Sequence, residues 1–268
     1  MQLFIGLLLG IIIAYLSYRA GALNGSGALA AALTGGLIFG LGGFPWAVLL
    51  VTFFVSSSGL SRAFAARKAS LSEKFAKGSR RDWGQVFANG GLGALLAIVH
   101  FVSPAQSWLW LAFAGAMAAV NADTWATELG VLSNRPPRSI SSGKIVERGA
   151  SGGITLLGTL AALAGAALIG ILAAAFGGEN FLTLWGLLSL AGLLGSLFDS
   201  LLGATIQAIY FCPQCQKETE RHPLHACGAE TYRKRGWRWL NNDWVNFFCS
   251  VVGAAIAAGI YWLTVASG

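Results

Sequence analysis

Charged side chains are scarce in this chain. Only 11% of its 268 residues are Asp, Glu, Lys or Arg, and just 11 of them are acidic. With 55% hydrophobic residues and a mean hydropathy of +0.64, this scarcity excludes an ordinary soluble domain and points to a polytopic membrane protein. A cleavable secretory signal is not expected either: residues 2–18 are apolar but lack a basic opening stretch, and Arg19 and further apolar runs follow. No internal repeat, coiled coil, low-complexity tail or Walker A phosphate loop is found. Cysteine is also sparse, with four residues.

What is present is a series of long apolar runs. Eight segments are expected, at 2–18, 27–43, 44–60, 84–102, 106–129, 150–176, 181–211 and 242–266. Each is near the ~20 residues that span a bilayer. The second and third are divided only by Gly42-Gly43-Phe44-Pro45, so they are open to being short or broken. The seventh is long enough to tilt or to run past the bilayer. The expected fold is an all-α transmembrane bundle, one domain over residues 1–268, carrying a small cytoplasmic Cys/His insert at 212–240.

All 18 Lys and Arg residues follow odd-numbered segments, and the connections after segments two, four and six carry none. By the positive-inside rule the odd connections are cytoplasmic and both termini lie outside. The net charge of +7 is then accounted for by topology and by attraction to anionic lipid headgroups, not by nucleic acid. Residues 61–82 read as an amphipathic basic loop on the cytoplasmic surface. The many Gly, Ala and Ser residues in the segments read first as helix-packing positions.

Against this background, four acids stand in or at the edge of apolar segments: Asp123, Glu128, Asp199 and Asp243. Intramembrane carboxylates are costly and face bundle interiors or polar cavities. Asp123 and Glu128, with Asn121, Thr124 and Thr127, form an oxygen-rich cluster suited to a hard cation such as Mg2+. On an ideal helix Asp123 and Glu128 are about 140° apart. Either the helix unwinds near Gly130 and Pro136, or only one of the two binds a metal and the other is a base or positions a neighbour. Separate ion pairs for each acid are the structural alternative.

Ser141 to Gly153 runs into the sixth segment with Lys144, Arg148, Gly149, Ser151, Gly152 and Gly153. A Gly- and Ser-rich helix start offers free N–H groups to phosphate, although a plain helix opening explains it as well. Asp199-Ser200 with Gln207, and Asn241-Asn242-Asp243 with Asn246, complete the polar set, with an N-cap role as the alternative reading of the last group. In the insert, Cys212, Cys215 and Cys227 with His225, or His222 in its place, give four ligands for tetrahedral Zn2+. A redox Cys-x-x-Cys is the lesser alternative. His100 and Cys249 read as packing residues.

Four of these stretches resemble, in order, the signatures of the integral-membrane family that includes phytyl-phosphate kinase, and more distantly CTP-dependent polyprenol and dolichol kinases. They are Asn121–Gly130, Lys144 with Gly149–Gly153, Asp199–Ala204 and Asn242–Asn246. The resemblance implies phosphoryl transfer from a nucleoside triphosphate, typically CTP, to a prenyl monophosphate lipid. It places Asp123 and Asp199 on Mg2+, with Glu128 or Asp243 assisting. Lys144, Arg148 and the Gly149–Gly153 amides would hold the triphosphate, and Asn121, Thr124, Asn242 and Asn246 would join the binding set. Ala150 departs from the Thr that the family often carries there. Another CTP-dependent lipid transferase (a lipid-alcohol kinase or a cytidylyltransferase) uses the same motifs. A transporter with a buried acidic site is the reading from another class.

Overall fold

The computed structural model describes residues 1–68, 73–177 and 180–266. Eight long helices account for most of it: α1 (Gln2–Arg19), α2 (Gly25–Leu37), α3 (Phe44–Ala63), α5 (Trp83–Val102), α6 (Trp108–Gly130), α7 (Leu156–Phe176), α8 (Phe181–Thr205) and α9 (Asn242–Ala266). A short α4 (Ala65–Lys68) follows α3, and the basic stretch 61–82 includes residues 69–72, which lie outside the described residues. The protein is a polytopic helical membrane protein, and seven of these helices, α2 counted with the π-helical turn that continues it to Gly42, are long and apolar enough to cross a bilayer.

The helix outside that set is α6, and its position explains why. It packs against α7, α8 and α9 and also against α3 and α5. Residues 111–122 are buried without interruption. A helix sheathed by others need not be as apolar as one facing lipid, so polar residues are tolerated in its last turns. Small residues bring the neighbours close. A Cβ on Gly115 would lie 2.4 Å from the Gly253 carbonyl oxygen of α9. Two residues before Gly115, Phe113 stacks on Trp46 at 4.2 Å, and Trp46 also stacks on His100 at 5.2 Å. His100 thus packs, as the sequence suggested, and Cys249 is fully buried.

Segments two and three are both helical. The first ends in a π-helical turn (Ile38–Gly42), and Gly43 with φ +86° reverses the chain into α3, where Pro45 occupies the first turn. Two expected boundaries move. The sixth segment starts at Leu156 and not at 150, because the Thr155 side chain caps it by accepting from Gly158 N at 3.0 Å. The seventh does not continue past the membrane as helix: it stops at Thr205, and the chain turns into a strand.

That strand, β3 (Ile209–Cys212), pairs with β4 (Lys217–Thr219) and β5 (Tyr232–Arg235) in an antiparallel sheet of order β4-β3-β5, which is the scaffold of the Cys/His insert. A second small ladder joins β1 (Arg138–Ser139) to β2 (Gly153–Ile154) and folds the connection between α6 and α7 into a hairpin-like excursion. The basic connections meet at one end of the bundle. Asn24 N donates to Arg81 O at 3.0 Å and Glu220 N to Lys74 O at 2.8 Å, and Lys74 Nζ reaches Glu147 at 2.6 Å.

Candidate active site

At that end, a cavity of about 470 Å3 opens between the last turns of α6 and α8, the first turns of α5, α7 and α9, and the loops above them. Asp123, Glu128, Asp199 and Asp243 all line it, although they come from three helices. Thr124, Arg148, Gly149, Ser151, Gly152, Gly153, Asn242 and Asn246 line it as well. Two expected residues are elsewhere. Asn121 is fully buried and ties three helices: it accepts from Ser56 Oγ of α3 at 3.0 Å and donates to Gly165 O of α7 at 2.7 Å. Lys144 is exposed in its turn and is not part of the cavity wall.

The helix α6 does not unwind before Gly130, so the 140° between Asp123 and Glu128 persists. The two acids accordingly have different partners. Asp123 Oδ1 accepts from Ser196 Oγ of α8 at 3.4 Å. Glu128 is buried and accepts from Ser61 Oγ of α3 at 2.7 Å. Asp199 lies within electrostatic reach of Asp123 and Glu220, and its Oδ2 is buried with no hydrogen-bond partner among the described residues. A buried carboxylate oxygen left unpaired, beside a second carboxylate, is a costly arrangement that a bound cation would relieve. The donor set is all oxygen, as a hard divalent ion requires. The residues therefore fit Mg2+, which Asp123 and Asp199 would hold.

Asp243 behaves differently. Its carboxylate pairs with Lys77, which also bonds Asp82 Oδ1 at 2.9 Å. Burial alone would lower the pKa of Lys77, but the bonds from Asp243 and Asp82 outweigh it, and the net shift is upward. Asp82 caps α5, accepting from Gln85 N at 3.0 Å while the Gln85 side chain accepts from Asp82 N. Asn241, not Asp243, caps α9, accepting from Trp244 N at 3.2 Å. Asp243 is thus an ion-pair partner at the cavity wall. Gly84 makes room for it, since a Cβ there would lie 2.5 Å from Asp243 Oδ2.

The glycine-rich loop precedes α7 and is not the start of that helix. Gly149 and Gly152 adopt φ +76° and +79°. Gly152 also lies against the end of α8, where its Cβ would come within 2.3 Å of Ala204 N. The loop is fixed from above by the insert: Ser151 Oγ donates to Glu220 Oε1 at 2.8 Å, and Gln207 Nε2 donates to the same oxygen at 2.9 Å. Burial raises the pKa of Glu220, partly countered by these bonds.

Lys77, Arg81 and Glu220 line the cavity but were not singled out from the sequence. Each looked like loop charge. For Arg81 and Asp82 the available signal was position, immediately before an apolar segment, as for Asp243. Burial pulls the pKa of Arg81 down to about 10, with Glu128 opposing, so it remains a cation at neutral pH. For Glu220 the sequence offered no signal, because its approach depends on how the insert folds back.

In the insert, the ligand atoms of Cys212, Cys215, His225 and Cys227 lie within 4.8 Å of one another. Cys212 Sγ is 3.6 Å and His225 Nδ1 is 3.3 Å from Cys227 Sγ. These are near the ~3.8 Å edge of a tetrahedron built on ~2.3 Å Zn–S bonds. His222 is turned away from that role: it stacks on Tyr210 with ring centroids 4.4 Å apart and planes within 6°.

A many-helix membrane bundle whose one polar cavity end collects carboxylates, cations and a glycine-rich loop defines an integral membrane protein with a built site at one face. The chain belongs to the integral membrane protein family DUF92, whose profile matches residues 8–254. It is 34% identical over 269 residues to Protein PGR of Arabidopsis thaliana, covering 92% of this chain and 91% of that one. It is 29% identical to an uncharacterized membrane protein of Methanocaldococcus jannaschii, covering 97% of this chain and 94% of that one. It is 27% identical to the chloroplastic protein VTE6 of Arabidopsis thaliana, covering 88% of this chain and 64% of that one. No solved structure matches the chain.

Proposed function

We propose that this protein is a Mg2+-dependent membrane kinase. It transfers the γ-phosphoryl group of a nucleoside triphosphate, CTP foremost, to a prenyl monophosphate such as phytyl or geranylgeranyl phosphate. The observation that carries this reading is the meeting of Asp123 and Asp199, from α6 and α8, in one cavity with the Gly149–Gly153 loop and Arg148. Membership of the family and the four motifs shared with phytyl-phosphate kinases support it.

The chemistry asks for positioning and charge neutralisation more than for covalent help. An ionised oxygen of the prenyl phosphate attacks the γ-phosphorus, the bond to the β-phosphate oxygen breaks, and CDP leaves with that electron pair. The acceptor is already an anion at neutral pH, so no strong general base is needed. When bound, Mg2+ would supply neutralisation of the phosphate charge. Asp123 and Asp199 would hold that ion, Ser196 orients Asp123, and Arg148 with the loop amides binds the triphosphate. Glu128, through Ser61, and Asp243, through Lys77, hold the walls at their spacing. Thr124, Asn242 and Asn246 offer hydrogen bonds to the bound groups, and the insert carries a structural Zn2+.

The cavity is read as cytoplasmic and both termini as external, because every Lys and Arg follows an odd-numbered apolar segment. The test is an assay of purified protein with CTP, Mg2+ and geranylgeranyl monophosphate. CDP and the prenyl diphosphate are expected, with loss of both in Asp123→Asn. Pyrophosphate in place of CDP means cytidylyl transfer, and solute flux in liposomes without nucleotide means a transporter. Either result overturns the kinase.

A further inference from the structure

The polar cavity has an apolar neighbour. A pocket walled by α1, α2, α3 and α5 shares three residues with it: Arg81, Gln85 and Asn89. Beyond these the walls are almost wholly hydrocarbon, including Leu9, Ile13, Leu50 and Phe54. On α1 the lining runs from Ser17 to Leu9, and along α2 and the π turn that continues it from Ala31 to Phe39. Either span is about 12 Å at 1.5 Å per residue, most of one leaflet of a ~30 Å hydrocarbon core. The helices α1 and α3 are not packed as a pair: α1 rests on α2 and the π turn, and α3 on α6, α7 and the π turn. A seam between them would be the route by which a lipid tail reaches the pocket.

At the junction stands Arg81. Its guanidinium lies over the rings of Phe53 and Phe54, 5.3 and 5.5 Å from their centroids, and makes no side-chain hydrogen bond to the described residues. A cation with free donors, seated where an apolar slot meets a polar cavity, matches a ligand with an anionic head and one apolar tail.

We infer that this slot is the acceptor-lipid subsite: the phosphate of a single-chain prenyl monophosphate meets Arg81, and its first isoprene units enter between α1, α2, α3 and α5. The inference rests on the kinase reading for the identity of the head group, and it deepens that reading by fixing where the lipid binds. The pocket volume, about 100 Å3, takes the first units and not a whole C20 chain, so the remainder would leave between α1 and α3 into lipid. A diacyl phospholipid is a poor fit to a slot that admits one chain.

Two glycines make the test possible. A Cβ on Gly35 would meet nothing closer than Leu50 Cδ2 at 3.8 Å, and one on Gly90 nothing closer than Thr34 Oγ1 at 3.9 Å, so larger side chains grow into the slot without a backbone clash. Equilibrium binding of farnesyl monophosphate, dimethylallyl monophosphate and farnesol is measured on the full protein in nanodiscs, without nucleotide. Farnesyl monophosphate is expected to bind wild type about tenfold more tightly than dimethylallyl monophosphate. Gly35→Leu and Gly90→Leu should each abolish that ratio, whereas Gly35→Ala keeps it. Arg81→Gln should bring farnesyl monophosphate down to the level of farnesol. An unchanged ratio in both leucine variants overturns the inference, as does phosphatidic acid competing as well as farnesyl monophosphate. Binding that follows this pattern without any turnover would sink the kinase reading alone; turnover with tail preference intact in the filled variants would sink the subsite alone.

Discussion

Ser151 donates to Glu220 at 2.8 Å, and this bond joins the glycine-rich loop before α7 to the Cys/His insert between α8 and α9. The insert is thereby part of the cavity. Glu220 N also donates to Lys74 O at 2.8 Å and Arg221 Nε donates to Phe75 O at 3.1 Å, so the two residues that follow β4 fix two separate loops above the carboxylates.

The insert should therefore be needed for order at the site, although a zinc ion held by its four Cys/His residues would take no part in chemistry. Cys215→Ser and His225→Ala are expected to lose one equivalent of zinc, and His222→Ala to retain it, by elemental analysis of purified protein. Four protein ligands close such a site, so zinc removal should lower the melting temperature and weaken nucleotide binding together. Normal zinc content in His225→Ala with loss in His222→Ala would reverse the ligand assignment.

Asp199→Asn should separate binding of the ion from folding. The carboxylate has no hydrogen bond to lose at Oδ2, and a neutral amide relieves repulsion with Asp123. Turnover is expected to fall about 100-fold or more, while the melting temperature without Mg2+ stays level or rises. Stabilisation by Mg2+ with CTP should disappear. A large drop in stability with turnover retained would make Asp199 a structural residue.

The Lys77 cluster sets a pH window. The folded pKa of Lys77 lies above its ordinary 10.5, so its contribution is full below that value and is lost as pH rises through the folded one. Burial would raise the pKa of Asp82, but the bonds from Gln85 and Lys77 outweigh it. Its folded pKa lies below the ordinary 3.8, and its contribution is present above that value and lost as pH falls through the folded one. The cluster's contribution to melting temperature should thus be flat between about pH 5 and 9 and decline on both sides. In Lys77→Met the decline at high pH should be weaker and the plateau lower. Denaturation scans across pH check both.

Gly152→Ala and Gly143→Ala form a matched pair. Both glycines have positive φ, at +79° and +68°. Around Gly143 there is open space, so alanine there should cost about 1 kcal/mol. At Gly152 the added Cβ meets the Ala204 backbone, and a cost of about 3 kcal/mol or more is expected, with loss of the loop geometry. Thermal unfolding of the two variants, run side by side, measures the difference.

Asn121→Ala tests the residue that the fold removed from the cavity. Its bonds to Ser56 and Gly165 stabilise helix packing by about 1 kcal/mol each. The expected result is a lower melting temperature with KM for nucleotide unchanged. A raised KM at normal stability would return Asn121 to the binding set.

The sequence by itself determined the class of architecture. Apolar length and the distribution of Lys and Arg follow from the cost of placing charge in hydrocarbon, which acts on each segment locally. For the same reason Asp123, Glu128, Asp199 and Asp243 stood out: an acid retained in an apolar run needs a polar surrounding, wherever the rest of the chain lies. The spacing of Cys212, Cys215, His225 and Cys227 was legible because one short loop supplies all four ligands. What only the tertiary structure decided is partnership between elements distant along the chain. That Asn121 is spent on α3 and α7, that Lys77 and Arg81 leave the class of loop charges to line a cavity, and that Glu220 folds back onto Ser151 all depend on which helices pack together. That packing is settled by close contacts such as Gly115 against Gly253 and Gly152 against Ala204, which leave no periodic trace in the sequence.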